Sequence, residues 1–163
     1  MPEAAPDDVT FALDGADGCI AAARHRTSEF LARAWSAHGV QVSARATDLA
    51  QLVVSELVTN ALKYAPGPVL LRLGIAGGAL EIEVWDSDPT LPLARAADTG
   101  RVGQHGLEIV LAVVRGFEAR REPVGKRVTA RLDLFDDTQP GLRGPAGRGG
   151  RCAAPDHPPT AGG

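Results

Sequence analysis

The stretch Thr47-Asp48-Leu49-Ala50-Gln51-Leu52-Val53-Val54-Ser55-Glu56-Leu57-Val58-Thr59-Asn60-Ala61-Leu62-Lys63-Tyr64 decides how the rest of the chain is read. Its Leu, Val and Ala positions cover most of the circumference of a helix, a pattern that calls for burial on nearly every side. Thr47 or Asp48 is the candidate cap, and Pro66 with Gly67 ends the run. One polar stripe interrupts the apolar surface. Glu56 and Asn60 stand at i and i+4, and Lys63 follows three residues later, so all three share a face. On a helix this apolar, such a stripe either faces water or lines a cavity. Glu and Asn one turn apart suit a Mg²⁺ ion with few protein ligands, its shell completed by water and substrate phosphates.

Downstream of this helix the period changes from helical to alternating. Val69, Leu71, Leu73 and Ile75 alternate with more polar residues, Gly77-Gly78 signals a hairpin, and Leu80, Ile82 and Val84 alternate again. A helix is expected over about Gly106–Arg115 with Gly116 as its stop, then a last strand carrying Val128, Ala130, Leu132 and Leu134. Upstream, Val9–Leu13 reads as a short strand and about Asp17–His38 as a helix that Gly39 terminates. Strands with one polar face imply a sheet covered on one side only. The expected fold is an α+β two-layer sandwich, a mixed, largely antiparallel sheet covered on one face by about three helices.

The chain has 163 residues, of which 44% are hydrophobic and 23% charged, enough for one domain with a sizeable core. Residues 1–135 are read as that domain. Residues 136–163 hold seven Gly and five Pro and are read as a disordered tail, because they bury too little to offset their ordering entropy. A formal net charge of −3 lacks the basic surplus of a nucleic-acid-binding module. With no run of 18 apolar residues and an acidic N-terminus, a membrane span and a signal peptide are not expected, and the location expected is cytoplasmic. Cys19 and Cys152 lie far apart and form no metal-cage spacing.

Two further features carry chemistry. Asp86 ends the second hairpin strand, in Trp85-Asp86-Ser87-Asp88-Pro89. A carboxylate there either accepts donors such as the exocyclic amine of a nucleobase or starts an Asx turn before Pro89. The segment Gly100-Arg101-Val102-Gly103-Gln104-His105-Gly106-Leu107 runs into a helix, where close backbone approach and a helix N-terminus favour phosphate. It is neither a P-loop nor a dinucleotide fingerprint, lacking the spacing of both.

Taken together, Glu56-Leu57-Val58-Thr59-Asn60-Ala61, then Asp86 after a hairpin, then a Gly-x-x-Gly-Leu loop opening a helix resemble the GHKL ATPase superfamily of histidine kinases, DNA gyrase and heat-shock chaperone ATPases. The short segment between Asp86 and Gly103 is most similar to the bacterial anti-sigma-factor serine/threonine kinases, found as stand-alone chains in actinomycetes. The resemblance covers about residues 8–135. It implies ATP and Mg²⁺ as cofactors, with Asn60 coordinating the metal and Glu56 orienting or deprotonating the attacking hydroxyl. It implies that Asp86 accepts the adenine amino group, that Gly103, Gln104, His105, Gly106 and Leu107 wrap the phosphates, and that Lys63 lies near them. It implies phosphoryl transfer to a serine of an anti-anti-sigma-type partner, or sequestration of a sigma factor, and hence a role in transcription regulation with neither nucleic acid nor membrane contacted directly. A homodimer through the first helix is a further expectation. The alternative is a catalytically inactive module that keeps the fold and only holds a partner.

The chain departs from that pattern at Asp88, which replaces a Gly, and at His105 in the Gly-rich loop. A Gly-Thr near the last strand is replaced by Gly125-Lys126-Arg127. Asp88 and Arg127 are therefore the residues expected to alter the adenine pocket.

Overall fold

The computed structural model describes residues 6–64, 67–88 and 105–135. Its elements in chain order are β1 (Val9–Leu13), α1 (Cys19–His38), α2 (Ala44–Tyr64), β2 (Val69–Ala76), β3 (Ala79–Asp86), α3 (His105–Val113), β4 (Gly116–Arg121) and β5 (Lys126–Asp133). The strands form one sheet in the order β1-β2-β3-β5-β4, and every neighbouring pair is antiparallel. The sheet is thus antiparallel throughout, with three helices among the described residues. The expected α+β class holds.

Alternation fixes which face each strand buries. Leu71 pairs with Val84, Leu73 with Ile82 and Ile82 with Ala130, so the apolar set of each strand falls on the same side. Against it lie Val53, Val54, Leu57 and Val58 of α2, all nearly inaccessible to solvent. Each Leu or Val so buried is worth roughly 1.5–3 kcal/mol. The other face carries charge ladders: Arg131 to Glu81 at 3.1 Å, and Arg72 shared between Glu83 (2.8 Å) and Asp8. Glu83 and then Asp8 hold the Arg72 guanidinium above even its ordinary high pKa.

Three boundaries differ from the sequence reading. Helix α2 starts at Ala44, and Ser43 is its cap: Ser43 Oγ accepts the Ala46 N–H at 3.0 Å. Thr47 and Asp48 lie inside the helix. Helix α3 stops at Val113, and Gly116 begins strand β4, which the sequence reading lacks. That strand pairs only with β5 at the sheet margin, and its inward residues reduce to Phe117 and Ala119 between charged neighbours. Gly39 ends α1 as expected, with φ +66° and its N–H directed to the Ala34 and Trp35 carbonyls. Gly77 and Gly78 both take positive φ in the β2–β3 turn, as a two-residue hairpin requires.

Cys19 is buried in the core, while Ala21, Ala22, Arg24, His25, Arg26 and Arg33 of α1 are exposed. Among the described residues, no helix is long and apolar enough to cross a membrane. The segment 136–163 read as a tail, Pro66, and the loop 89–104 with Gly103 and Gln104 lie outside the described residues.

Candidate functional site

Helix α2 is the centre of the domain, in contact with α1, α3 and strands β2, β3 and β5. Its polar stripe is half-buried at Glu56 and Asn60 and exposed at Lys63. The stripe meets the start of α3: a Cβ added at Gly106 would lie 2.0 Å from Glu56 Oε2 and 2.9 Å from its Cδ. Glu56 therefore places a carboxylate against the first turn of α3, where the helix dipole favours negative charge. Glycine at 106 is what allows that approach. Asn60 stands one turn beyond Glu56, and its amide makes no hydrogen bond to a described residue. Lys63 directs its ammonium over the Tyr64 ring, 5.2 Å from the centroid.

Of the Gly-rich loop, His105, Gly106 and Leu107 form the first turn of α3. The His105 ring is solvent-exposed, 3.6 Å from Glu108. Glu56 and Gly106 are thus brought together, with Asn60 one turn along α2 from Glu56.

Asp86 lies elsewhere on the sheet and is committed. It is the last residue of β3, buried on the helix-covered side, and its direct antiparallel partner is Lys126, the first residue of β5. Lys126 Nζ lies 3.0 Å from each Asp86 carboxylate oxygen and 3.1 Å from the Asp88 carbonyl. The Asp88 N–H donates to Asp86 Oδ1 at 2.9 Å, which is an Asx turn. Behind the pair, Gly125 has φ +79°, and a Cβ there would fall 1.7 Å from the Asp86 carbonyl oxygen. Both counts admit only glycine.

The residue that bears on Asp86 is therefore Lys126 and not Arg127. Arg127 is next along β5, so its side chain leaves from the opposite face. There it pairs with Glu122 at 3.1 Å and lies over the Trp85 ring. Parity was the available signal: Lys126 shares the inward register of Val128 and Ala130, and Arg127 does not.

The residues present fit the two ends of a nucleotide differently. Among the described residues no three His, Cys, Asp or Glu side chains cluster to form a metal site. A Mg²⁺ ion beside Asn60 would take most of its ligands from phosphate and water, as Mg²⁺ commonly does. Asn60, Glu56 and the start of α3 fit that end. At the other end, the Asp86 carboxylate already holds an ammonium and a backbone N–H, and does not fit an adenine amine in this arrangement.

The sequence family described as "Histidine kinase-like ATPase domain" matches residues 20–132. A search of curated proteins finds no match. Among solved structures, the chain is similar to the RsbU and RsbW domains of Rv1364c from Mycobacterium tuberculosis, with TM-score 0.57 and 19% identity. That match covers 78% of this chain and 32% of the other. A second is the histidine kinase domain of the blue-light activated histidine kinase EL346 from Erythrobacter litoralis, with TM-score 0.45, 23% identity, and 66% and 61% of the two chains covered. The chain thus spans about a third of the length of the first structure and under two thirds of the second. At 19% identity the first of these matches speaks for the fold alone.

Proposed function

The chain belongs to the histidine kinase-like ATPase family, an ATP-binding group, and on that premise we propose that it is a regulatory serine/threonine kinase of the anti-sigma-factor type. The observation that carries the reading is the placement of the Glu56 carboxylate against Gly106, with Asn60 one turn beyond it. Phosphoryl transfer needs positioning and charge neutralisation more than covalent help from the protein. Asn60 would hold Mg²⁺, whose chemistry is to neutralise phosphate charge. Glu56 takes the proton of a partner serine hydroxyl as that oxygen bonds to the γ-phosphorus, while the bond to the β-phosphate oxygen breaks and ADP leaves. The first turn of α3 offers its N–H groups to the phosphates.

The partner is a regulator of the anti-anti-sigma or sigma-factor kind, and the RsbU and RsbW domains in the similar Mycobacterium tuberculosis structure support that class. The exposed face of α1, with Arg26 over Phe11 of β1, is the surface we assign to a second copy, and sedimentation as a monomer at micromolar concentration would overturn that. Label transfer from γ-labelled ATP to a partner serine, present in wild type and absent in Glu56→Ala, tests the kinase reading. The buried Lys126–Asp86 pair favours a second reading, in which the chain holds a partner without turnover. Stable partner binding with no label transfer in any variant would select it.

A further inference from the structure

Lys126 is the more hidden of the chain's two lysines, 2% exposed where Lys63 is solvent-facing. A buried lysine is rare unless paired, and this one is paired to capacity. An ammonium has three protons, and three acceptors surround it: Asp86 Oδ1, Asp86 Oδ2 and the Asp88 carbonyl. Asp86 Oδ1 also receives the Asp88 N–H. With about two acceptor sites per carboxylate oxygen, Oδ1 is filled and Oδ2 is half filled, on a side chain only 1% exposed. An exocyclic amine reaching Asp86 meets one oxygen already filled and a second held by the Lys126 ammonium, on a side chain sealed from solvent.

From this we infer that Lys126 is a built-in competitor for the nucleobase amine, holding the Asp86 carboxylate closed to base recognition until its ammonium leaves. The inference rests on the reading of Asp86 as the base acceptor. It makes base binding weaker by the fraction of molecules in which the pair is open. The phosphate end, on α2 and α3, is unaffected because no contact joins Lys126 to Glu56, Asn60 or Gly106 among the described residues.

Calorimetric titration of MgATP and of magnesium tripolyphosphate into wild type and Lys126→Met tests it. Methionine keeps the length of the side chain and removes its donors. The expected result is MgATP affinity raised about tenfold or more, the factor that follows if the open state is a tenth of the population or less, with tripolyphosphate affinity unchanged. MgATP affinity that is equal or lower in Lys126→Met overturns the inference while leaving the phosphate reading intact, provided tripolyphosphate still binds. No binding of either ligand to either protein overturns both. Should circular dichroism show Lys126→Met unfolded, lysine acylation of the wild type decides. Labelling of Lys126 that rises with saturating MgATP and not with magnesium tripolyphosphate supports displacement, and unchanged labelling overturns it.

Discussion

The Glu56 carboxylate and the Gly106 backbone exclude any side chain between them, since a Cβ at 106 would stand 2.0 Å from Oε2. Gly106→Ala must therefore push the carboxylate aside. Gly106 lies in α3 without a positive φ, so alanine there gains about 0.5–1 kcal/mol of helix propensity. The expected outcome is a fold at least as stable as wild type with label transfer reduced about a hundredfold, the lower range for losing a positioned general base. Thermal unfolding and γ-label transfer on the same preparation would show the two effects separated. Equal activity in Gly106→Ala would remove Glu56 from the catalytic role.

Asn60→Ala addresses the metal. The amide is half-buried and has no hydrogen-bond partner among the described residues, so its loss changes stability by no more than about 0.5 kcal/mol. Nucleotide affinity in the presence of Mg²⁺ is expected to fall tenfold or more. In excess EDTA the variant and wild type should bind alike, which calorimetry with and without chelator reads directly.

Ser43→Ala removes the side-chain cap at the start of α2, the Ser43 Oγ that accepts the Ala46 N–H. A lost N-cap costs about 1 kcal/mol, and urea unfolding should show that loss with an unchanged slope. Alanine at Thr47 or Asp48, inside the helix, should cost less.

The Lys126–Asp86 pair is expected to couple strongly in a double-mutant cycle. Removing one partner leaves a buried charge uncompensated, which costs about 3–5 kcal/mol. Replacing both, as Asp86→Leu with Lys126→Met, should recover most of that loss, because a well-packed apolar pair is often as stable as a buried ion pair. Denaturant midpoints of the four proteins give the coupling energy.

The sheet and the two long helices were legible because burial on one face writes a period into the sequence. Val69 to Ile75, Leu80 to Val84 and Val128 to Leu132 each alternate, and α2 is apolar almost all round. Strand β4 was not legible, since a marginal strand with Phe117 and Ala119 as its inward residues writes almost no period. Ser43 and Thr47 are both good caps, and only tertiary context chooses Ser43 for α2. At the site, the spacing of Glu56 and Asn60 was visible in the sequence. The approach of Gly106 to Glu56 was not, because it depends on how α3 returns across α2. Strand parity separates the inward Lys126 from its outward neighbour Arg127, but a lysine beside a turn reads in the sequence as an exposed strand-end residue.

Glu56 and Asn60 stand on a helix clamped by most of the domain, whereas Asp86 and Lys126 stand at the ends of two neighbouring strands. On the proposed reading, the two halves of the site are therefore carried by different elements of the fold. If Asp86 is the base acceptor, substitutions at the strand ends retune base recognition while the helix goes on presenting the same carboxylate and amide. On that reading, loss of recognition and loss of chemistry follow from substitutions on different elements.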